Sequence, residues 1–398
     1  MNDALAVLVH RLGPYHLARL RAVAALGPMV AVEYSSADST YQWDAVSSTG
    51  AFRTETLFSQ TEVQAETIQR TRARVTEVLD AVAPSAVAIP GWSARASLLA
   101  LEWCLNRKVP AVVMSESQAS DERRTVAREY VKRRLIRLFS AALVGGVAHQ
   151  RYLEALGLPP DRIVTGYDVV DNEHFARGAD AARADGPNVR QVLGLPERYF
   201  LASSRFIPKK NLERLLQGYS AYRRSVGARA WKLVILGDGA LRASLLAQRE
   251  RLALTEDVLL PGFKQYEDLP KFYGLARAFV HASTVEQWGL VVNEAMAAGL
   301  PVLVSSRCGC VPELVHEGVN GHAFDPSNAD ELAECLLRMS SGVDDVTAMG
   351  NASREIVSRW TPQGFARSLH ASVAAARKRP APRPSFVDRI VLRAAALR

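Results

Sequence analysis

The sequence predicts an α/β fold made of two domains, each built on a parallel β-sheet. Short apolar runs of four to eight residues, bounded by Gly, Pro or Ser, recur along the chain. Such runs are typical of strands buried on both faces. Longer helical patterns separate them, and this alternation favours parallel strands with helices on both sides of the sheet. The chain has 398 residues, 48% of them hydrophobic, which is enough for two separate cores.

Nine apolar runs carry the strand pattern, and they fall into two series. The runs lie at 4–9, 29–34, 85–90, 109–114, 141–146, 199–204, 231–236, 276–283 and 300–306. Helical patterns such as 211–225 and 329–340 lie between runs. Two series of this kind predict two Rossmann-like domains.

The junction between the domains is predicted within residues 162–191, where a strand leads into an Ala/Arg/Asp-rich stretch that we interpret as a loop. We therefore expect an N-terminal domain over 1–175 and a C-terminal domain over 190–377. The tail 378–398 follows a Pro-rich hinge, and its apolar residues have roughly helical spacing.

Charge and cysteine content narrow the class of protein. The net charge of +8 favours anionic partners, which include nucleotides, phosphates, acidic lipid and nucleic acid. The four cysteines form no zinc-type pairs and no disulfide framework, which indicates a reducing, cytoplasmic location. The N-terminal apolar run is interpreted as a buried strand rather than a signal peptide. No stretch reaches 18 apolar residues, so no transmembrane helix is expected.

The turn after the first strand is the first candidate binding segment. Gly13 and Pro14 turn the chain into a helix, which places backbone N–H groups where ligands of doubly wound folds bind. An ordinary strand–helix turn explains the same residues equally well. His16 lies close by in the sequence, although a lone His on a helix is more often structural.

Two further strand ends carry polar or glycine residues. Arg205, Lys209 and Lys210 follow the run at 199–204, and Asn211 is placed to cap the next helix. Cations at the end of a parallel strand, facing a helix N-terminus, suit a diphosphate, while a solvated basic loop is the alternative. The segment 234–245 has only the first two glycines of a dinucleotide fingerprint, so we interpret it as a tight turn and disfavour a dinucleotide cofactor.

Residues 283–306 place two carboxylates within an otherwise apolar segment. Glu286 falls in the loop after a strand, and Glu294 falls in the second turn of a helix that begins near Leu290. Gly289 allows the backbone to approach a ligand closely. A carboxylate accepts hydrogen bonds from sugar hydroxyls, and charges in apolar surroundings need partners. One solvated loop glutamate and one solvated helix glutamate are the alternative.

These segments together resemble the retaining GT-B glycosyltransferases of family GT4. The matching pieces occur in order as SSRFIPKKN, LVILGDG, LLPGFKQYEDLPKFYGLARAFVHAS, EQWGLVVNEAMAAGLPVLVS and CGCVPELVHEGVNGHAFDP, and cover roughly residues 198–340. Glu286 and Glu294 form the E-x7-E pattern of that family. The segment YDVVDNEHF also resembles the interdomain element of the family, with its Gly replaced.

The resemblance implies a GT-B fold, with two Rossmann-like domains facing a central cleft and a C-terminal helix that returns to the N-terminal domain. It implies that Arg205, Lys210 and Glu286 act on the diphosphate and the sugar of a UDP-sugar or GDP-sugar donor. It assigns Glu294 to the ribose, and the backbone at Gly289 and Leu290 to the sugar or phosphate. The remaining donor contacts that it implies are Gly13 to the phosphates and Phe263 and Lys264 to the base.

On the acceptor side the sequence departs from the family. Many members place a His after an N-domain strand, whereas here the run at 109–114 leads to Glu116, Ser117 and Asp121. These three residues and His16 are the acceptor-side candidates. No DxD metal motif is present, so Arg and Lys are expected to replace a cation, and no metal or other cofactor is expected. Cys308 and Cys310 stand where the family often has glycines, and we assign them to packing.

The expected function is transfer of a sugar from a nucleotide donor to a hydroxyl acceptor: a small molecule, a glycan or a lipid-linked glycan. The alternatives are another GT-B reaction, such as epimerisation or phosphorolysis, and a nucleotide-binding protein without activity. Residues 121–139 hold seven Lys or Arg and three acids, with an apolar stripe. They fit either a solvated basic face over a core helix or peripheral contact with anionic membrane at its inner face. Nucleic acid is not an expected partner, because no recognised module accompanies the charge.

Overall fold

The computed structural model describes residues 4–36, 50–59, 62 and 67–397, which divide into two compact units. One unit combines Met1–Val169 with Pro362–Arg398, and the other is Val170–Thr361. Two α/β units are as predicted. The predicted limit at residue 377 differs from the observed one, because residues 362–377 pack with the first unit: Ser372 Oγ lies 3.3 Å from the carbonyl oxygen of Ala142.

The first unit is built on a seven-stranded sheet with strand order β3-β2-β1-β4-β5-β6-β7, and every pairing is parallel. The five predicted runs form β1, β2, β4, β5 and β6. β3 has the polar sequence RTETLF and no apolar run that would predict it. The strands are β1 (Leu5–Val9), β2 (Met29–Ser35), β3 (Arg53–Phe58), β4 (Ala86–Pro90), β5 (Ala111–Ser115), β6 (Ala141–Val144) and β7 (Ile163–Thr165).

The second unit is built on a six-stranded parallel sheet with strand order β10-β9-β8-β11-β12-β13. Its first strand, β8, pairs with β9 on one side and with β11 on the other, so the order of strands reverses at β8 and β11. The strands are β8 (Tyr199–Ser203), β9 (Lys232–Leu236), β10 (Val258–Gly262), β11 (Ala278–His281), β12 (Val302–Ser305) and β13 (Gly321–Phe324).

Helices connect the parallel strands, as parallel pairing requires. The first unit begins with α1 (Pro14–Ala24), α2 (Ile68–Val82), α3 (Arg95–Arg107), α4 (Val126–Ile136) and α5 (Val147–Ala155). The second unit contains α6 (Asn172–Ala184), α7 (Gly186–Leu193), α8 (Leu212–Val226), α9 (Arg242–Arg251), α10 (Leu269–Leu275), α11 (Leu290–Ala297), α12 (Val311–Leu314), α13 (Ala329–Ser341) and α14 (Val346–Val357). The C-terminal helices of the first unit are α15 (Pro362–Arg377) and α16 (Phe386–Ala396).

The predicted return of the C-terminal helix to the N-terminal domain is confirmed, because Leu392 and Ala396 of α16 lie in the core of the first unit. Within the part of the chain that the structure describes, no helix combines the length and the apolarity needed to cross a membrane.

Two local predictions are wrong. The Ala/Arg/Asp-rich stretch predicted as a loop is helix α6, because Asp171 accepts a hydrogen bond from the backbone N–H of His174 and caps the helix. Phe175, Ala179 and Ala182 then fall on one buried face. Asn211 precedes α8 as predicted, but its side chain does not cap the helix. Its amide donates instead to the carbonyl oxygens of Ala282 and Pro326.

The turn between β9 and α9 is tight, as predicted, and its glycines are required. Gly237 has φ +122°, and a Cβ atom there would lie 1.9 Å from the carbonyl oxygen of Ser204. We expect Gly237→Ala to lower the free energy of unfolding by about 2–4 kcal/mol, because both the backbone conformation and the contact are unfavourable.

Urea denaturation of the variant measures this loss. Gly194→Ala is the matched control, since Gly194 has φ +63° with no neighbour within 4 Å of the added Cβ. Its expected cost is only about 1 kcal/mol. Equal losses in the two variants would contradict the close approach at Gly237.

Candidate active site

The reversal of strand order in the second sheet brings two loops together. The loops after β8 and β11 start from adjacent strands at the same edge, which is where ligands of open α/β sheets bind. The backbone N–H of Thr284 donates to the carbonyl oxygen of Lys209 over 2.9 Å, and Asn211 Nδ2 donates to Ala282. These bonds join the loop that carries Lys210 to the loop that carries Glu286.

The carboxylate of Glu286 is the centre of this site. Its Oε2 atom contacts Lys210 Nζ, His281 Nε2 at 3.3 Å and Ser283 Oγ at 3.2 Å. The side chains of Lys210 and Glu286 are each 12% exposed, so their charges are largely removed from water. The structure therefore brings together two of the predicted residues, Lys210 and Glu286, with two that the sequence did not suggest.

Glu286 remains ionised in this setting. Burial alone would raise its pKa, but the hydrogen bond from His281 and the charge of Lys210 outweigh burial and hold the pKa well below its ordinary value. Burial lowers the pKa of His281, although Glu286 opposes this effect. A neutral His281 that donates from Nε2 to Glu286 is the assignment consistent with both shifts. An ionised carboxylate can accept hydrogen bonds from hydroxyl groups, but it is a poor acid.

Helix α11 begins after Gly289, which has φ +108°. Leu290 is the first residue of this helix, and Glu294 lies in the second turn, as predicted. Glu294 is fully buried, and Tyr273 Oη donates to its Oε2 atom over 2.6 Å. Burial and the neighbouring Glu294 raise the pKa of Tyr273, which keeps the phenol protonated as a donor. The two glutamates thus have separate hydrogen-bond partners.

The loop after β12 supports the backbone of Glu286. The N–H of Gly309 donates to the carbonyl oxygen of Glu286 over 3.1 Å. The thiols of Cys308 and Cys310 on either side are buried, and burial raises the pKa of each. Protonated, enclosed thiols support their assignment to packing.

The other donor-side candidates lie at the same sheet. Arg205 follows β8 and is half-buried. Phe263 and Lys264 follow β10, two strands away from β8 in the sheet. Lys264 Nζ lies 5.5 Å from the centre of the Phe272 ring, in cation–π contact.

In the first unit the order of strands reverses between β1 and β4. Gly13 follows β1 and precedes α1 as the predicted turn, with Pro14 as the first helical residue. His16 is half-buried, and its Nδ1 atom is enclosed without a hydrogen-bond partner among the described residues. Burial, with Arg19 and His10 nearby, lowers the pKa of His16 to about 3.

The candidates that follow β5 have different partners. Glu116 lies near Asp168, a buried residue whose pKa is raised by burial and by the charge of Glu116. The backbone N–H of Ser117 donates to Ser115 Oγ over 3.1 Å. Asp121 forms an ion pair with Arg124 at 2.6 Å. Asp121 is thus engaged in an ion pair, and Glu116 acts on Asp168 through its charge.

Sequence reasoning missed His281, Ser283, Tyr273 and Asp168. A partial signal existed for His281, since it is a polar residue inside the apolar run at 276–283. Tyr273 offered none, because its contact with Glu294 depends on how α10 and α11 pack. Asp168 precedes the junction between the units and stood in a segment interpreted only as a connection.

Comparison with known proteins finds a family match within the second unit. Residues 187–356 match the family model described as glycosyl transferases group 1. The chain is also 30% identical over 209 residues to a GDP-mannose-dependent α-(1-6)-phosphatidylinositol monomannoside mannosyltransferase of Mycobacterium tuberculosis, a match that covers 50% of this chain and 52% of the relative. The chain spans about half the length of the curated relatives it matches.

Solved structures match over nearly the whole chain. Anabaena Alr3699/HepE in complex with UDP gives a TM-score of 0.74 at 19% identity, covering 94% of this chain and 100% of that one. Sucrose-phosphate synthase from Thermosynechococcus elongatus gives 0.72 at 18% identity, covering 92% and 97%. The predicted GT-B fold is confirmed.

The partly buried pair of Lys210 and Glu286 should be strongly coupled. Lys210→Met leaves a desolvated carboxylate without its cation, so it should destabilise the protein more than Lys210→Met combined with Glu286→Gln. In a double-mutant cycle measured by urea unfolding at neutral pH, we expect a coupling free energy of about 1–3 kcal/mol. The exposed pair Lys271 and Asp268 is the matched control and should couple by less than about 1 kcal/mol. Equal coupling in both pairs would refute the desolvation argument.

His16 should make the protein sensitive to acid. Its pKa is about 3 in the folded state against an ordinary 6.5, so the unfolded state binds more protons between these values. Stability should fall as the pH decreases through this window, and His16→Gln should make the fall less steep. Urea titrations from pH 7 to about pH 4 measure the difference. The exposed His316→Gln is the control for loss of an imidazole, and identical slopes for wild type and His16→Gln would contradict the prediction.

Proposed function

We propose that the chain is a retaining glycosyltransferase that moves a sugar from a UDP-sugar or GDP-sugar to a hydroxyl acceptor. The observation that carries the proposal is the pairing of Lys210 with the ionised Glu286 where the strand order of the second sheet reverses. In the proposal, Lys210 is a cation for phosphate and Glu286 an acceptor for sugar hydroxyls. The group 1 family match of residues 187–356 supports it.

In the proposed reaction Lys210 and Arg205 hold the diphosphate of the donor. Negative charge grows on the diphosphate as the glycosidic bond breaks, and fixed cations stabilise it. Glu286 stays ionised and accepts hydrogen bonds from hydroxyls of the donor sugar. His281 and Ser283 act as positioning residues, because they contact the carboxylate oxygen.

The other proposed donor contacts follow from the family resemblance. Glu294 binds the ribose, and Tyr273 holds its carboxylate in place. The backbone at Gly289 and Leu290 and the turn at Gly13 approach the sugar and phosphates, and Phe263 with Lys264 contacts the base. The comparisons do not decide between uracil and guanine as the donor base. One relative is GDP-mannose-dependent, and one similar structure contains UDP.

The acceptor is proposed to be a glycan, a lipid-linked glycan or a small molecule with a free hydroxyl. Two relatives support this class by their names, which are phosphatidylinositol monomannoside mannosyltransferase and O-antigen chain mannosyltransferase B. His16, Glu116, Ser117 and Asp121 remain the proposed acceptor-side residues. We place the reaction in the cytoplasm with peripheral contact to anionic membrane, and propose that it needs no metal.

A nucleotide panel tests the proposal. UDP, GDP, ADP and TDP are compared by the rise in melting temperature that binding to the folded state causes, and the sugar nucleotides of the preferred base are then incubated with acceptors. We expect release of nucleoside diphosphate that persists with EDTA. Glu286→Gln and Lys210→Met should each reduce turnover by about 100-fold or more. Glu197→Gln removes an exposed carboxylate from the same unit and should leave turnover unchanged.

Three other outcomes would redirect the assignment. Unchanged turnover in Glu286→Gln and Lys210→Met would refute the proposed site. Conversion of the donor without acceptor would indicate an epimerase, and cleavage by inorganic phosphate would indicate a phosphorylase. Nucleotide binding without transfer across a broad set of acceptors would indicate a binding protein.

A further inference from the structure

Helices α4 and α16 of the first unit lie side by side at its surface. Arg134 of α4 forms an ion pair with Asp388 of α16 at 2.8 Å and donates to Ser385 Oγ over 3.1 Å. Leu392 of α16 is buried in the core of the unit. The C-terminal helix is therefore anchored along its inner side, and its outer side faces solvent.

The outer side of α16 is apolar and basic. Phe386 is 78% exposed, and Ile390 and Leu397 on the same face are exposed as well. The spacing i, i+4, i+11 places these three side chains in one stripe. The exposed Arg389 borders the stripe. The single acid of the helix, Asp388, is held by Arg134 and does not belong to this side.

The outer side of α4 continues this pattern. Val126 is 90% exposed, and Tyr130, Arg133 and Arg137 follow it at helical spacing on the same exposed face. The acids of the segment are all engaged in ion pairs with Arg124 or Lys132, and these acids are Asp121, Glu122 and Glu129. Basic and apolar groups thus face outward, while the acids are neutralised within the protein.

We infer that these two outer sides form one membrane-binding surface, the α4/α16 face, for bilayers that contain anionic lipid. Exposed apolar side chains on a helix that lies flat can enter the region between headgroups and acyl chains. Arginines beside them pair with lipid phosphates, and each adds attraction to a negative leaflet. The inference rests on the membrane contact included in the proposed function and does not depend on the transfer reaction. It assigns that contact to the C-terminal helix together with α4.

Charge argues against a second copy of this chain as the occupant. A two-fold symmetric contact would place the same face on both partners, so Arg133, Arg137 and Arg389 would meet arginines again. The face offers no carboxylate to neutralise them. An anionic bilayer supplies phosphates for the arginines and an apolar layer for Phe386 and Ile390.

Vesicle sedimentation with the full chain tests the inference. Wild type is compared on vesicles of phosphatidylcholine alone and on vesicles that also contain phosphatidylglycerol, at low and high salt. We expect binding to the anionic vesicles only, weaker at high salt because exposed charges are screened. Phe386→Ser with Ile390→Ser should weaken binding by about tenfold or more, because two apolar groups no longer enter the bilayer. Val192→Ser, which removes a 76% exposed valine from the second unit, should bind as wild type.

Equal binding of wild type and the double variant would overturn the inference, as would equal binding to the two kinds of vesicle. Light scattering that shows a dimer of the wild type and a monomer of the double variant would overturn it too, since the face would then be an interface between copies. The nucleotide-induced rise in melting temperature is measured on the same samples. If it persists in the variant while vesicle binding is lost, the variant is folded and the donor site is independent of the surface.

Discussion

The arrangement of the site depends on parallel strand pairing, with a reversal of strand order at β8 and β11. Parallel strands end at one edge of the sheet, so every loop that follows a strand begins there. The reversal sends the connections from the two central strands in opposite directions and opens the edge between them. Lys210 and Glu286 are 76 residues apart in the sequence, and this topology alone makes them neighbours. The same rule applies to the first sheet, where β1 and β4 provide the corresponding point.

The cost of partial burial shapes the chemistry of the pair. Two charges that lose most of their water are costly to fold unless each neutralises the other and the remaining lone pairs are bonded. The Oε2 atom of Glu286 meets this condition through Lys210, His281 and Ser283. A diphosphate bound at Lys210 would share the ammonium group with Glu286, which already fixes its position. Little reorganisation would then be needed as negative charge develops on the diphosphate. We therefore propose that the pair is a preorganised anion site rather than a source of stability.

Sequence periodicity predicted the elements well, but it predicted side-chain partners poorly. Buried parallel strands are almost entirely apolar, so their runs stood out, and the β11–α11 segment was placed correctly from its Gly and apolar pattern. The helix α6 was missed because we interpreted its Ala/Arg/Asp-rich composition as that of a loop. Ala and Arg are in fact strong helix formers. The amide of Asn211 bonds two carbonyl groups from distant loops rather than its own helix, and no local rule reveals such tertiary partners. Tyr273 was missed for the same reason.

Glu286 and Glu294 stand eight residues apart, and their carboxylates differ in burial as well as in position. The first lies in a loop, shares one oxygen among three partners and keeps some exposure. The second lies inside a helix turn, fully enclosed, and takes a hydrogen bond from Tyr273. A carboxylate has about four lone-pair sites and can accept more than one hydrogen bond. A ligand hydroxyl that reached Glu294 would therefore meet an acceptor whose orientation Tyr273 already fixes. Because the side chain of Glu294 is fully buried, such a contact requires that its surroundings open.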